Sequence, residues 1–435
     1  MKLNKLTTAI GVAMLAGIAV GSLAHHLADG PEAAQTIAGY FSIFTDVFLR
    51  MIKMIIAPLV FATLVAGIAG MDDSRSVGRI TMKAMGWFLI ASITSLLIGL
   101  VMANVLTPGV GLNLPLPDAG ATTELKTGAL NLKDFITHMI PKSFAEAMAG
   151  NEILQIVVFS MFFGFALGAL KDGPGKPVLA AIDGLAHVML KVTGYVMLFA
   201  PVGVFAAIAA VITKQGLGVL VVYAKLLGSM YLSLALLWLA LIAGGFVFLK
   251  GDVFRLIGQL RAPLLLGFAT ASSESAYPKV IEQLGKFGVK ERISGFVLPL
   301  GYSFNLDGSI MYTSFAALFI AQVYGIELTL SQQITMLLVL LVTSKGIAGV
   351  PRASLVVVAA VLPMFGLPEA GILLILGVDH VLDMGRTVTN VLGNAIATTV
   401  VAKSEGAIGA PRDDDDVIDV ELPEAAKPEP AYAAK

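Results

Sequence analysis

The sequence predicts an all-α polytopic membrane protein of eight transmembrane helices and two re-entrant helical hairpins, built from inverted repeats. Three observations carry that expectation. The 435 residues are 57% hydrophobic and only 14% charged, with a mean hydropathy of +0.86, whereas soluble domains carry about a quarter charged residues. Eight apolar segments reach the roughly 20 residues that a helix needs to cross a bilayer. Two more are apolar but broken in the middle, each half too short to cross.

The same composition excludes several functions. A net charge of −1 without a basic patch offers nucleic acid nothing. Cysteine is absent, which removes disulfides, thiolate catalysis and cysteine–metal sites. Five scattered histidines include no His-x-x-x-His pair on an evident helix, so metal has no signal either.

The eight spans lie at about 6–27, 38–70, 77–106, 152–170, 179–212, 217–249, 291–323 and 369–403. The first resembles a signal peptide, because Lys2 and Lys5 precede an apolar run to Leu23. Yet Ser22 to His26 is a poor cleavage site and further spans follow, so it reads as a transmembrane helix. The positive-inside rule sets orientation. Lys2 and Lys5, then Arg75, Arg79 and Lys83, then Lys171 and Lys176, then Lys250, Arg255 and Arg261 all fall on one side. Both termini are therefore expected in the cytoplasm. The loop 108–150, with Lys126, Lys133 and Lys142, is a mild exception.

The broken segments are 253–288, interrupted at Ala269-Thr-Ala-Ser-Ser-Glu-Ser-Ala276, and 331–366, interrupted from Thr343 to Ser354. Non-helical backbone at membrane depth survives only where protein buries it or where it lines a wet cavity. Hairpins fit that demand better than kinked helices. One enters from inside and one from outside, a pairing that points to an inverted-repeat transport site. The seventh span is itself interrupted at Gly301-Tyr-Ser-Phe-Asn-Leu-Asp-Gly-Ser309, where Asn305, Asp307 and Gly308 unwind a turn and free carbonyls for a cation or ligand. After Glu405 the chain turns polar, with Asp413 to Asp416, and reads as a disordered tail over 407–435.

The most informative stretch runs from Asp379 to Asn394 within an apolar segment from Leu367 to Ala402. At about 100° per residue, Asp379, Asp383, Arg386, Thr387, Asn390 and Asn394 share about 100° of arc. Each ionisable group at membrane depth costs at least ~2.5 kcal/mol and marks a substrate or ion path. An Asp–Arg pair joining two helices is the plainer explanation, but the stripe holds more polar groups than a join needs. Arg386 offers a planar donor fork for a carboxylate, and hairpin tips add helix N-termini. Either Asp383 neutralises Arg386, or Asp379 does so and leaves Asp383 for a cationic group beside the carboxylate. The second arrangement describes an amino acid with an acidic side chain. Catalysis fits worse: the Gly-x-Gly-Asp run of intramembrane aspartyl proteolysis is missing, and so is any phosphate-cradling loop.

Four runs together, Ser272-Ser-Glu-Ser275, Asn305-Leu-Asp-Gly308, Gly349-Val-Pro351 and Asp379 to Gly393, resemble the dicarboxylate/amino acid:cation symporter family, which contains the glutamate transporters. The resemblance spans about 5–406. It implies a transporter unit over 1–406 in a homotrimer, moving by an elevator mechanism. The scaffold would cover about 6–70 and 152–212, and the mobile transport domain about 77–106 and 217–403. It places Arg386 and Ser309 on the side-chain carboxylate. Asp383, Thr387 and the Val350 carbonyl would take the amino group, and Asn390 with Ser272 and Ser273 the main-chain carboxylate. Gly349, Pro351 and Arg352 would belong to the outer gate. C4-dicarboxylate members tend to lack an acid at the position of Asp383, so glutamate or aspartate is favoured over succinate, malate or fumarate.

Departures from the sodium-coupled pattern concern the ion. Asn394 replaces a coordinating carboxylate, Ala91 beside Ser92 replaces a hydroxyl, and Lys345 stands near the outer tip. Sodium at Gly301, Asn305 and Asn390 remains the competing reading. Proton coupling is expected, with Glu274, Asp307 and Asp379 as carriers, because burial penalises their charged form. Glu274 and Arg352 are expected to pair across the tips. No cofactor is expected, and the partners are a small carboxylate and the bilayer, here of a bacterial inner membrane. An anion channel is the rival class; saturable counterflow separates it from a carrier.

Overall fold

The computed structural model describes residues 5–69, 74–111, 137, 140–217, 223–344, 353–376 and 378–410. Among them the chain is helical without a strand, with one isolated bridge between Val289 and Ile408. The first three spans are α1 (Lys5–Leu27), α2 (Pro31–Ala69) and α3 (Ser74–Leu106). A short α4 (Phe144–Gly150) precedes α5 (Ile153–Ala169). The expected fifth span is two helices, α6 (Lys176–Met197) and α7 (Ala200–Gln215). Pro201 in the first turn of α7 lacks the N–H that would continue α6, so the chain breaks at Leu198 and Phe199. The sixth span is α8 (Ala224–Leu249).

The first broken segment folds back as α9 (Asp252–Gln259), α10 (Arg261–Thr270) and α11 (Ser273–Phe287). Its turn is Ala271 and Ser272, with Ala271 at φ 48°. A left-handed non-glycine residue costs on the order of 1 kcal/mol, the kind of strain that collects at functional turns. The interrupted seventh span is α12 (Glu291–Phe304) and α13 (Asp307–Val323), with Asn305 and Leu306 between them. Then α14 (Leu330–Thr343) starts from a capping box of Thr329 and Gln332. The return limb is α15 (Ala353–Val361), followed by a 3-10 turn, Leu362–Phe365. Residues 345–352, where the tip of the second hairpin is expected, lie outside the described residues.

The eighth span departs from expectation at its start. A 3-10 turn (Glu369–Gly371) and a short α16 (Ile372–Leu376) come first, and the long helix α17 (Asp379–Ser404) begins only at the first residue of the polar stripe. Continuous apolarity from Gly371 to Val378 conceals that break in the sequence. Asp379 thereby sits in the first turn, where the helix dipole favours a carboxylate.

Among the described residues six helical stretches, α12 and α13 counted together, are long and apolar enough to cross a membrane. α17 is not among them because its stripe lowers its hydropathy, and its burial explains why that is tolerable. From Leu382 to Ala402 every residue except Val388 is buried. It is packed by α3, α8, α10, α12 and α13. By contrast Leu15, Met82, Val105, Leu239 and Leu338 are largely exposed, an apolar outside suited to lipid. α1 and α2 pack on α7, and α2 also on α5 and α6. Side chains added at Gly17 and Gly21 would strike the backbone of Phe205 and Ala209, so small residues set how close α1 lies.

A clasp closes the end where α3 starts and α17 stops. Arg79 holds Glu405 with two parallel bonds, Nε to Oε1 at 3.0 Å and Nη2 to Oε2 at 2.7 Å. Lys83 adds 2.6 Å to Oε1 and 3.0 Å to the Ser404 carbonyl. The chain beyond is laced to the α11–α12 turn, with Lys290 N–H on the Ala407 carbonyl and Gly409 N–H on the Gly288 carbonyl. The Arg79 bonds and the Lys83 charge hold the Glu405 carboxyl below its ordinary 4.5, against the smaller opposing effect of burial. A depressed carboxylate stabilises above the unfolded value and loses that contribution as pH falls through the folded one. The thermal midpoint of Glu405→Gln should therefore lie below that of the parent at pH 7. The gap should close as pH drops below the ordinary glutamate range, as differential scanning fluorimetry in detergent would show; a pH-independent gap would refute it.

Candidate functional site

The candidate site is built around Arg386, 1% exposed and about two turns into α17. Its Nε donates to Asp383 Oδ1 at 2.6 Å, and Nη1 stands 3.4 Å from Asp379 Oδ1. The guanidinium lies 4.3 Å over the ring of Tyr312, whose hydroxyl donates to Asp379 Oδ1 at 3.2 Å. Thr387 donates to Asp383 Oδ1 at 3.2 Å. Helical spacing explains the gathering: Asp383 follows Asp379 by four residues, and Arg386 and Thr387 follow Asp383 by three and four, so they meet on one face. One cation thus sits between two acids. Among the described residues Nη1 and Nη2 make no hydrogen bond, which leaves the outer edge of the fork available to an anion.

One turn on, Asn390 Oδ1 accepts the Ser309 N–H at 3.1 Å, and its Nδ2 donates to Ser309 Oγ at 2.9 Å. Asn390 therefore caps the N-terminus of α13 from another helix. That approach needs Gly308: a Cβ there would meet the Arg386 carbonyl. Below it lies an amide–carboxylate knot. Asn305 Nδ2 donates to Asp307 Oδ2 at 3.0 Å and to Asn394 Oδ1 at 3.3 Å. Ser95 on α3 stands 3.5 Å from Asp307 Oδ1. Asn305 Oδ1 and Asn394 Nδ2 are buried without a hydrogen-bond partner among the described residues. Asp307 rests against Gly393, whose missing side chain makes the room. A side chain at Gly301 would likewise meet Asn394 Oδ1.

The tip of the first hairpin joins the site through a small apolar contact of Ala271 with Met384 of α17 and Ile208 of α7. Ser272 and Ser273 are both buried there. Ser275 donates to the Ser272 carbonyl at 2.7 Å and shares a 2.7 Å hydroxyl contact with Thr270, which stiffens the turn. Glu274 lies in the first turn of α11.

The structure brings together Arg386, Asp383, Thr387 and Asp379 as one cluster, Asn390 and Ser309 as a second, and Asn305, Asp307 and Asn394 as a third. Lys345, Gly349, Val350, Pro351 and Arg352 lie outside the described residues. Sequence reasoning passed over Tyr312, Ser95 and Trp238. Tyr312 follows Ser309 by three residues and so shares its face. Ser95 follows Ala91 by four; its hydroxyl bonds the Ala91 carbonyl at 2.8 Å and stands 3.5 Å from Asp307 Oδ1. Trp238 on α8 donates to Thr389 at 2.8 Å, a contact without a sequence signal.

A helical membrane protein with a buried cation between two acids, beside a broken helix, fits a transporter of small charged solutes. Comparison with known proteins specifies which kind. Residues 6–404 match the model of the sodium:dicarboxylate symporter family. The chain is 41% identical to a C4-dicarboxylate transport protein of Laribacter hongkongensis, over 91% of this chain and 89% of that one. It is 39% identical to the proton/sodium-glutamate symport protein of Bacillus subtilis, over 92% and 93% of the two chains. It is 41% identical to the proton/glutamate-aspartate symporter of Escherichia coli, over 90% and 91%. The chain belongs to the sodium:dicarboxylate symporter family, a family of transporters.

Proposed function

We propose that the chain imports acidic amino acids, glutamate or aspartate, together with protons. One observation carries this: Arg386 and Asp383 lie one turn apart in the same buried cluster, with Asp379 as a second acid for the arginine. A carboxylate on the open edge of Arg386 and an ammonium on Asp383 would then sit side by side, and Asp379 would go on balancing the arginine. Ser309, Asn390, Ser272 and Ser273 supply further donors around that position. Val350 would add its carbonyl, and Gly349, Pro351 and Arg352 the outer gate.

The proton reading draws on Asn394, which offers an amide where sodium-coupled relatives carry an acid. Lys345, expected near the outer hairpin tip, would supply an ammonium in the electrostatic place of a cation. Asp307, Asp379 and Glu274 are the carrier candidates, and Asp379 can carry a proton only in a state in which it does not balance Arg386. The transporter is a homotrimer in a bacterial inner membrane with both termini cytoplasmic. Of its eight spans the scaffold takes four (α1, α2, α5, and α6 with α7), and the other four move as an elevator together with both hairpins. The packing of α1, α2 and α5–α7 on one another, and of the other spans around α17, supports that division.

A second reading has its own support. Asp383 already holds Arg386 Nε at 2.6 Å, and the Laribacter relative is named for C4-dicarboxylates. If that pair persists with substrate bound, the ligand has no amine and succinate is the cargo. Uptake of labelled aspartate into proteoliposomes, under separate proton and sodium gradients and with succinate as competitor, tests both points. Proton-driven aspartate uptake without sodium is the expected result; a sodium requirement would overturn the ion assignment, and uptake of succinate alone the substrate. Asp383→Asn should cost aspartate about tenfold or more in affinity, the charged bond being worth about 1.5–3 kcal/mol. It should spare succinate. Equal losses for the two substrates would make Asp383 a support for Arg386 only.

A further inference from the structure

Two tyrosines outside the clusters described above have hydroxyls that the fold does not use. Tyr277 on α11 and Tyr302 on α12 are both buried, and their rings meet edge to face at 5.2 Å and 90°. Neither hydroxyl has a hydrogen-bond partner among the described residues. A buried hydroxyl without a partner costs about 1–3 kcal/mol, so a phenylalanine pair would fill the space more stably. Glu274 lies within electrostatic reach of the Tyr302 hydroxyl. The Tyr277 hydroxyl faces Thr63 on α2, close enough to interact, and Thr63 Oγ1, which donates to the Leu59 carbonyl at 2.8 Å, keeps lone pairs able to accept a proton. Thr63 in turn lines a cavity of about 140 Å³ between α2, α6, α11 and α12. Its titratable and charged lining groups are Asp183 and His187 on α6 and Glu291 and Arg292 on α12. This cavity lies toward the side that the basic loops mark as cytoplasmic.

We propose that Tyr302, Tyr277 and Thr63 form a hydroxyl relay that carries the Glu274 proton to this cavity. Buried polar groups without a partner are seats for water, and water between the hydroxyls would complete the file. The step conserves charge at every link. The protonated Glu274 carboxyl gives its proton to the first oxygen, each hydroxyl accepts one proton and releases its own, and the last proton passes to cavity water. Glu274 is left as the carboxylate, and neither tyrosine ionises. Thr63 stands on the scaffold and the tyrosines on the mobile part, so the file is continuous only in the position seen here. Proton release would then be open to one side at a time.

The inference rests on the reading of Glu274 as a proton carrier, and the test keeps the two apart. Tyr277→Phe and Tyr302→Phe keep the ring contact and remove only the hydroxyls. In proteoliposomes each should slow proton-driven net uptake, by on the order of a hundredfold where proton transfer limits. Substrate exchange, which moves no net proton, should be unchanged, and a solvent deuterium effect on net uptake should appear or grow. Glu274→Gln is measured alongside. If Glu274→Gln loses net uptake and both phenylalanine variants keep it at every pH, the relay is wrong and the carrier stands. If Glu274→Gln still accumulates substrate on a proton gradient, the carrier reading falls and the relay with it. Equal loss of exchange and net uptake in the phenylalanine variants would make the tyrosines merely structural and would also overturn the relay.

Discussion

Arg386→Lys should weaken acidic-substrate binding by about a hundredfold and leave the protein folded. The lysine keeps a positive charge for Asp383 and Asp379, so no carboxylate is stranded. It removes the planar fork whose outer nitrogens make no hydrogen bond among the described residues. Two charge-assisted bonds to a carboxylate are worth about 3 kcal/mol together, or roughly two decades of affinity. An ammonium point charge recovers little of that geometry. Arg386→Ala is the harsher change, because an uncompensated buried charge costs about 3–5 kcal/mol and would confound folding with function. Substrate titration by calorimetry, on protein whose gel-filtration profile matches the parent, decides the matter. Affinity close to the parent's in the lysine variant would remove Arg386 from the binding site.

Gly393→Ala should abolish gradient-driven accumulation while adding only one methyl group. That methyl would occupy the position of Asp307 Oδ2. The carboxylate cannot simply swing away: it is fully buried and held by Asn305 at 3.0 Å, with Ser95 on its other oxygen. Forcing extra volume into a packed core costs about 1–3 kcal/mol, and here the displaced group is the proposed ion-coupling acid. The thermal midpoint should fall, and uptake should lose its dependence on the driving cation. An alanine variant with the parent's midpoint and coupling would show that Asp307 does not depend on that space.

Much of this was readable before any coordinates. The stripe from Asp379 to Asn394 is legible because helical period alone puts those residues on one face, and a polar face in an apolar run has few explanations. The turn at Ala271 and Ser272 and the break at Asn305 and Leu306 were legible for a related reason: small and polar residues interrupt runs that otherwise read as continuous helix. The split between α6 and α7 was written in Pro201, although apolarity on both sides masked it. The start of α17 at Asp379 was not legible, because the residues before it are as greasy as a helix interior.

Tertiary structure alone decided the pairings. Composition and spacing could offer Asp379 or Asp383 to Arg386 but not choose, and the fold uses both, with Tyr312 from α13 beneath the guanidinium. It also brought Ser95 to 3.5 Å from Asp307, joined Asn390 to Ser309, and left the hydroxyls of Tyr277 and Tyr302 without hydrogen-bond partners among the described residues. The reason is physical. Which residues share a helix face follows from a period of 3.6 and is local, whereas which atoms meet across helices depends on how closely the backbones approach. Here that approach is fixed by Gly308 and Gly393, through side chains they do not have.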